Sequence, residues 1–597
     1  MKTPTFARGR RTGYALILVL VFCAIGAFIL ASTLTRTANV TKLTERSRQL
    51  TVNISSAEAA TEKIISRMIQ DFRREGAPGL AANMESYRAT IPAMTETPYW
   101  TNFAFNDAQG REGRTYVQCI SNWTYVPLES QYAGLMGYAA KYRILSNTRN
   151  LSGPELVTGA VQQDVQLAQI PIFQFAIYYN SLLEFTWAAP FVVRGRVHAN
   201  GDIYTGSAED LTFHSPVTSS GTIRKRGWAG YSLGNMNGDI NYRAGYATNV
   251  PALTLPIGTP NTPDAVREII NLPPAGESMY SALGTNRFYN KAELVLLVSN
   301  NAVQLNLKQP FDPFPTTLRW DTTNKYYMTN KTFPNWLTLT NTFTDARENK
   351  TIHAAQIDLG RYNLWALTNS EVRSKLGVNA SSGVQNVPNL IYVADYRTNT
   401  ATALSGIRLT NGAALPWRGL TVATPNPLYT IGNYNSPVLN STNTTQAKPA
   451  ALISDALTIL SPKWNDANSS KKLGNRIPGD TTVNAAIITG IVYSDPSDGL
   501  PFSGGVMNLP RLLEDWNGKT LWLNTSVVNL YNSRFATNKW VSTSDANAYY
   551  SAPNRQFSFD LNFTDNTKLP PGTPGLSAMI RSKWVSPPPG VVNYAGN

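Results

Sequence analysis

Cysteine and histidine are nearly missing from this chain of 597 residues, which has 2 Cys and 3 His. Cys23 lies in an apolar run near the N-terminus and Cys119 far beyond it, so the body of the protein has no internal disulfide. Its stability must come from burial and backbone pairing. The histidines (His198, His214 and His353) are too scattered for a zinc signature, and no H-x-x-x-H pair occurs. A Walker loop and a G-x-G-x-x-G turn are both absent, removing the usual markers of nucleotide enzymes. Acidic residues are sparse as well, 38 against 52 Lys and Arg. Of the net charge of +14, +7 falls within residues 1–75 (12 basic, 5 acidic), and the rest is spread thinly. Nucleic acid is therefore not expected as a partner, since it needs a clustered basic stripe.

Charge is absent altogether from residues 12 to 35, and nearly all of Tyr14–Leu34 is apolar. At 1.5 Å per residue the uncharged run is about 36 Å long, enough to cross a hydrocarbon core of roughly 30 Å. It is too long for a cleaved secretory signal. Bulky Phe22, and the apolar residues that continue past Cys23, argue against lipoprotein processing. The basic residues Lys2, Arg8, Arg10 and Arg11 should hold the N-terminus in the cytoplasm. Neither proline nor glycine occurs between Gly26 and Gly76. From Val40 a heptad seam runs through Leu43, Ser47, Leu50, Ile54, Ala57, Thr61, Ile64 and Met68, with most charges off it. One rod from Tyr14 to about Arg74, roughly 90 Å long, is predicted, stopping at Gly76 and Pro78. An ordinary anchor followed by a dimerising coiled coil would read the same way.

A short basic leader ending in Gly13, then Tyr14-Ala15-Leu16-Ile17-Leu18, resembles the signal of type IV pilins and pseudopilins. That resemblance implies cleavage by a prepilin peptidase between Gly13 and Tyr14. The form Gly13-Tyr14-Ala15-Leu16 and the later Ala57-Glu58-Ala59-Ala60 resemble the atypical subunits, PilX and the K-type minor pseudopilin. Major pilins carry glutamate at the fifth mature position, and Leu18 stands there in this chain, which implies a minor or tip-like subunit. Other pilin or pseudopilin subunits would then be its partners along Leu18, Val40, Leu43, Leu50, Ile54, Ala57, Ile64 and Met68. The implied location is the bacterial inner membrane, single-pass, with the ectodomain periplasmic or carried in an extracellular fibre. The resemblance covers about 75 residues.

After Gly76 the apolar runs shorten to four to eight residues between Asn, Gly, Ser and Pro turns, a β-rich pattern. Helix is expected at the start of Val161–Tyr179 before Pro171, from Pro263 to Ile270 capped by Thr262, and over Asp358–Leu376. Glu293–Val298 and Val303–Leu307 read as a hairpin. Phe191–Ile223 and Gly406–Asn435, with Ala450–Ile459 and Val483–Val492, look like short stacked rungs with Asn/Gly corners. The fold class expected is mainly β with one long N-terminal helix, the ectodomain being either a β-solenoid or an antiparallel sandwich. The divisions read from turn-rich breaks are a leader 1–13, helix 14–75, an α+β region 77–185 and a β-rich segment 186–255. An α+β insert 256–385 and a β-rich region 386–597 complete them.

Strings such as VHANGDIY and GLTVATPNPLYTIGNYN resemble large envelope proteins with PilX-like N-termini, which carry no known activity. The reading is a non-enzymatic display subunit without a cofactor, serving adhesion or surface organisation, with surface polysaccharide as a further partner. Its rival is a membrane-anchored carbohydrate-active enzyme or binding module on a β-helix, drawing on Asp202, Asp210, Asp455 and Asp480 as paired carboxylates. A metal site from His198, His214, Asp202, Glu209 and Asp210 has no matching spacing, and Asp495–Gly499 reads as a turn that calcium could favour. Arg224-Lys225-Arg226 reads as a solvated turn. Trp365, Trp464, Trp516 and Trp522 flank apolar residues and read as core.

Overall fold

The computed structural model describes residues 14–107, 109–153, 157–185, 190–228, 238–321, 333–397, 399–494, 503–541, 543 and 545–588. The chain is β-rich with one long N-terminal helix, Tyr14–Ala82. That helix is apolar enough over its first part, and long enough, to cross a membrane. Gly76, at φ 68°, breaks its regularity, and Pro78 then sits in the first turn of a short helical continuation. Every residue from Tyr14 to Thr44 is exposed, a projection of about 45 Å. Threonines would weaken a helix here, but Thr33, Thr35, Thr37, Thr41 and Thr44 each donate their hydroxyl to the carbonyl four residues back. The hydroxyls are thereby satisfied within the helix itself.

From Gln49 onward the helix lies on an antiparallel sheet ordered Phe103–Asn106, Met136–Asn150, Thr158–Pro171, Gly575–Val585. Tyr116–Cys119 and Thr124–Pro127 also pair with Met136–Asn150. The helix expected at the start of 161–179 is instead the strand Thr158–Pro171, hydrogen-bonded along both edges. Two ladders outweigh the weak helical preference of its glutamines and leucine, because local propensity is small beside tertiary pairing. Gly159 lets the strand and the helix meet, since a Cβ there would lie 2.7 Å from the Ile54 nitrogen. Neither backbone can yield alone, so only glycine fits.

Beyond the sheet the strands pair in parallel with strands one turn later in the chain. Phe175–Tyr179, Leu183–Glu184 and Phe191–Val193 are followed by Arg196–Ala199, Ile203–Tyr204 and Leu211–Phe213. Val217–Ser219, Ile223–Arg224 and Ile240–Tyr242 come next, and Tyr246–Ala247 ends the run. Leu183 pairs with Ile203 and Ile203 with Ile223, a step of 20 residues each time. A second parallel series climbs from Leu390–Asp395 through Leu420–Ala423, Ala450–Ser454 and Ala486–Thr489 to Val527–Asn529. Val527–Asn529 then pairs with Phe175–Tyr179, fusing the two series into one sheet of twelve strands. The chain thus enters this stack in its middle, runs outward, and returns to the entry point some 350 residues later, as the Ser526 Oγ to Phe175 O hydrogen bond records (separation 351).

The hairpin Leu294–Val298 with Ala302–Leu307 and the Thr262-capped helix Pro263–Arg267 match expectation, while the single helix expected over Asp358–Leu376 is two, Leu359–Thr368 and Ser370–Leu376, divided at Asn369, which leaves helical geometry to cap the second. Trp516 is fully buried, Trp365 and Trp464 pack partly buried on the same apolar cluster, and Trp522 is half-buried.

Candidate functional site

The helical seam divides in two. Ala57, Ile64 and Met68 are buried against the sheet, with Ile54 half-buried at the boundary. Tyr14, Leu18, Val40, Leu43 and Leu50 are exposed, Leu43 at 65 % and Leu18 at 60 %. Gly13 and the basic leader lie outside the described residues. Polar contacts fix where the division falls. Asn53 donates to the Val157 carbonyl at 2.8 Å, and Gln163 donates to Thr61 Oγ1 at 2.9 Å and Glu62 Oε1 at 2.8 Å. Arg581 from the last strand binds Glu62 at 2.7 Å, and this hydrogen bond holds the carboxyl below its ordinary range. The C-terminal end of the chain therefore clamps the stem to the head.

The residues with candidate chemistry are dispersed. His198 is buried between Thr218 Oγ1 (2.8 Å) and Asn200 Oδ1 (3.0 Å) and stacks on Tyr178. Burial pushes its imidazole down to about 4, so it is a neutral strut between turns. Asp202 accepts from the Thr222 N–H (2.8 Å), Asp210 from Asp239 (3.2 Å) and Asp480 from Thr520 (2.8 Å). Each carboxylate thus satisfies a corner N–H of the neighbouring turn. Asp455 is fully buried and pairs with Arg267 at 2.5 Å. Among the described residues no group of three or more His, Cys, Asp or Glu is placed to hold a metal. Asp495–Gly499 lies outside the described residues. Arg224, Lys225 and Arg226 are exposed, with their charges over the rings of Tyr204 and Tyr242 at 5.6 to 5.9 Å.

Two buried glutamates escaped the sequence reading. Glu514 accepts from the Ser461 N–H and hydroxyl, both at 2.7 Å, and burial pushes it up to about 7. Glu184 ends a strand of the first turn and is likewise pushed up to about 7 by burial. A signal for Glu184 existed. Aligning Asn180-Ser-Leu-Leu-Glu184, Asn200-Gly-Asp-Ile-Tyr204 and Ser220-Gly-Thr-Ile-Arg224 at the 20-residue step puts Glu184 in a stacked column.

Glu514 gives a pH prediction with a definite sign. Its folded pKa exceeds the unfolded value, so its contribution is full below about 4.5 and is lost as pH rises through 7. Glu514→Gln keeps a neutral group of the same size in place, whose amide oxygen can still accept from Ser461. Across pH 5 to 8 the wild type should lose stability relative to Glu514→Gln, as read by paired thermal melts at each pH. A constant difference would mean that Glu514 does not titrate in this range.

No family model, no curated protein and no solved structure matches the chain.

Proposed function

We propose that the protein is a structural subunit of a type IV pilus or type II secretion-like fibre, of the minor pilin or pseudopilin kind. Its head is a β-solenoid in this reading, and the parallel pairing at a 20-residue step supports that assignment. One observation carries the functional reading: a helix unbroken up to Gly76 whose second half is buried on its own head and whose first half is bare. Membrane covers Tyr14–Leu34, but Val40, Leu43 and Leu50 lie beyond it and remain exposed apolar groups at heptad spacing. Neighbouring stems of the same kind would cover them. The stem enters the inner membrane with the leader in the cytoplasm and carries the head outside for adhesion or surface organisation.

The direct test is N-terminal sequencing of the protein from cells with and without prepilin peptidase. The expected mature chain begins at Tyr14 only when the peptidase is present. A chain beginning upstream of Tyr14 in both strains would end the proposal.

A further inference from the structure

We propose that the loop 310–315 docks the head on an anionic lipid surface, with the rings of Phe314 and Tyr280 entering the lipid. The loop reads Pro310-Phe311-Asp312-Pro313-Phe314-Pro315. Phe314 is 78 % exposed, more than any other large apolar side chain described in the head, and Tyr280 is 71 % exposed. A ring so bare presents both faces and its edge, and burial gives no reason for it at this place. Yet the loop is held firmly. Phe311 sits in the left-handed region at φ 57°, uncommon for a bulky residue, with its ring 6.3 Å from that of Tyr280. Gln309 Nε2 donates to the Lys375 carbonyl at 2.8 Å, and Lys375 Nζ to the Phe314 carbonyl at 2.6 Å.

The backbone of this tip is ready to leave water. Its three prolines have no N–H. The Phe311 N–H donates to the Asn290 carbonyl (2.8 Å), the Asp312 N–H to the Gln309 carbonyl (3.1 Å) and the Phe314 N–H to Asp312 Oδ1 (2.8 Å). No backbone donor from 310 to 315 is therefore stripped of water on entering lipid, which is the usual cost of placing a loop there. A protein pocket would not need this, since it could supply acceptors of its own. The one acid of the loop, Asp312, is paired with Lys375 at 2.8 Å, and Glu277, near Tyr280 in the chain, is paired with Arg287. Cations flank the tip instead. Arg319 on the strand Thr316–Asp321 and Arg373 on the helix that carries Lys375 are exposed, and neither forms an ion pair among the described residues. Aromatic rings with cations behind them match anionic headgroups over an acyl interior. Thr316–Asp321 is one edge of the twelve-stranded sheet, eight strands and about 40 Å from Phe175–Tyr179, where the chain leaves the sheet under the stem. Neither the stem nor a fibre enters this contact.

Co-flotation tests the contact, with the full chain held by its stem in phosphatidylcholine nanodiscs and mixed with vesicles of equal parts phosphatidylglycerol and phosphatidylcholine. Wild type should float with these vesicles, and severalfold less with vesicles of phosphatidylcholine alone. Phe314→Asp should lower the vesicle-bound fraction at least tenfold and Tyr280→Ala severalfold, both melting as wild type does. Leu561→Asp, at a residue 72 % exposed elsewhere on the head, should float as wild type does. Flotation of Phe314→Asp equal to wild type would overturn the proposal, as would equal binding to both kinds of vesicle. So would an equal loss in Leu561→Asp, which would mean unspecific adhesion. Wild type that floats with neither vesicle would also end it and leave the loop to a protein partner.

Discussion

Asp455→Ala should cost about 3–5 kcal/mol, the largest loss from any single substitution considered for this chain. The carboxylate accepts from Arg267 Nη2 at 2.5 Å, Ser533 Oγ at 2.5 Å, and the N–H groups of Arg534 at 2.7 Å and Phe535 at 3.1 Å. Arg267 is itself only 2 % exposed and also reaches the Pro425 carbonyl and Asn271. Removing the acid leaves a guanidinium buried without its counter-charge and two corner N–H groups without an acceptor. Arg267→Met should cost less, because Asp455 keeps its three other donors. Replacing both residues by apolar groups should not restore stability, since the two N–H groups stay orphaned. Urea unfolding of the four variants, wild type included, gives the order directly. Equal losses in Asp455→Ala and Arg267→Met would show that the backbone donors contribute nothing.

The second large effect separates the two halves of the stem. Ile64 is fully buried in the cluster formed by the helix and the sheet. Ile64→Ala should cost about 2–5 kcal/mol by transfer and cavity formation, and should loosen the helix from the head. Val40 is 54 % exposed, so Val40→Glu should leave the melting temperature within about 1–2 °C of wild type. It should instead reduce cross-linking between neighbouring stems through a cysteine placed at Leu43. The pair of variants is informative together. If Val40→Glu lowered stability as Ile64→Ala does, the upper stem would be packed on its own head. If Val40→Glu left cross-linking intact, the exposed ridge would not be the assembly face.

Much of this architecture was legible in the residues. The apolar run, the missing glycine and proline, and the heptad spacing specify a long helix wherever the chain places it. Thr262 announces a helix start by capping, and the 294–307 hairpin announces itself by its turn. The strand Thr158–Pro171 was misread because its glutamines and interspersed apolar residues fit either period, and only its two flanking ladders choose between them. The 20-residue step was present but obscured, because the next turn is lengthened between Arg224 and Ile240.

The sequence by itself determined the stem, the β-rich body and the thin supply of chemical groups, because hydrophobic period, turn residues and composition act locally. Tertiary structure alone decided that half of the seam is consumed by the protein's own sheet, that residue 527 closes on residue 177, and that Glu184 faces two serines from a distant segment. Such contacts join positions hundreds of residues apart, and no local preference encodes them. They follow only from which surfaces must be buried together once every strand has found its neighbour.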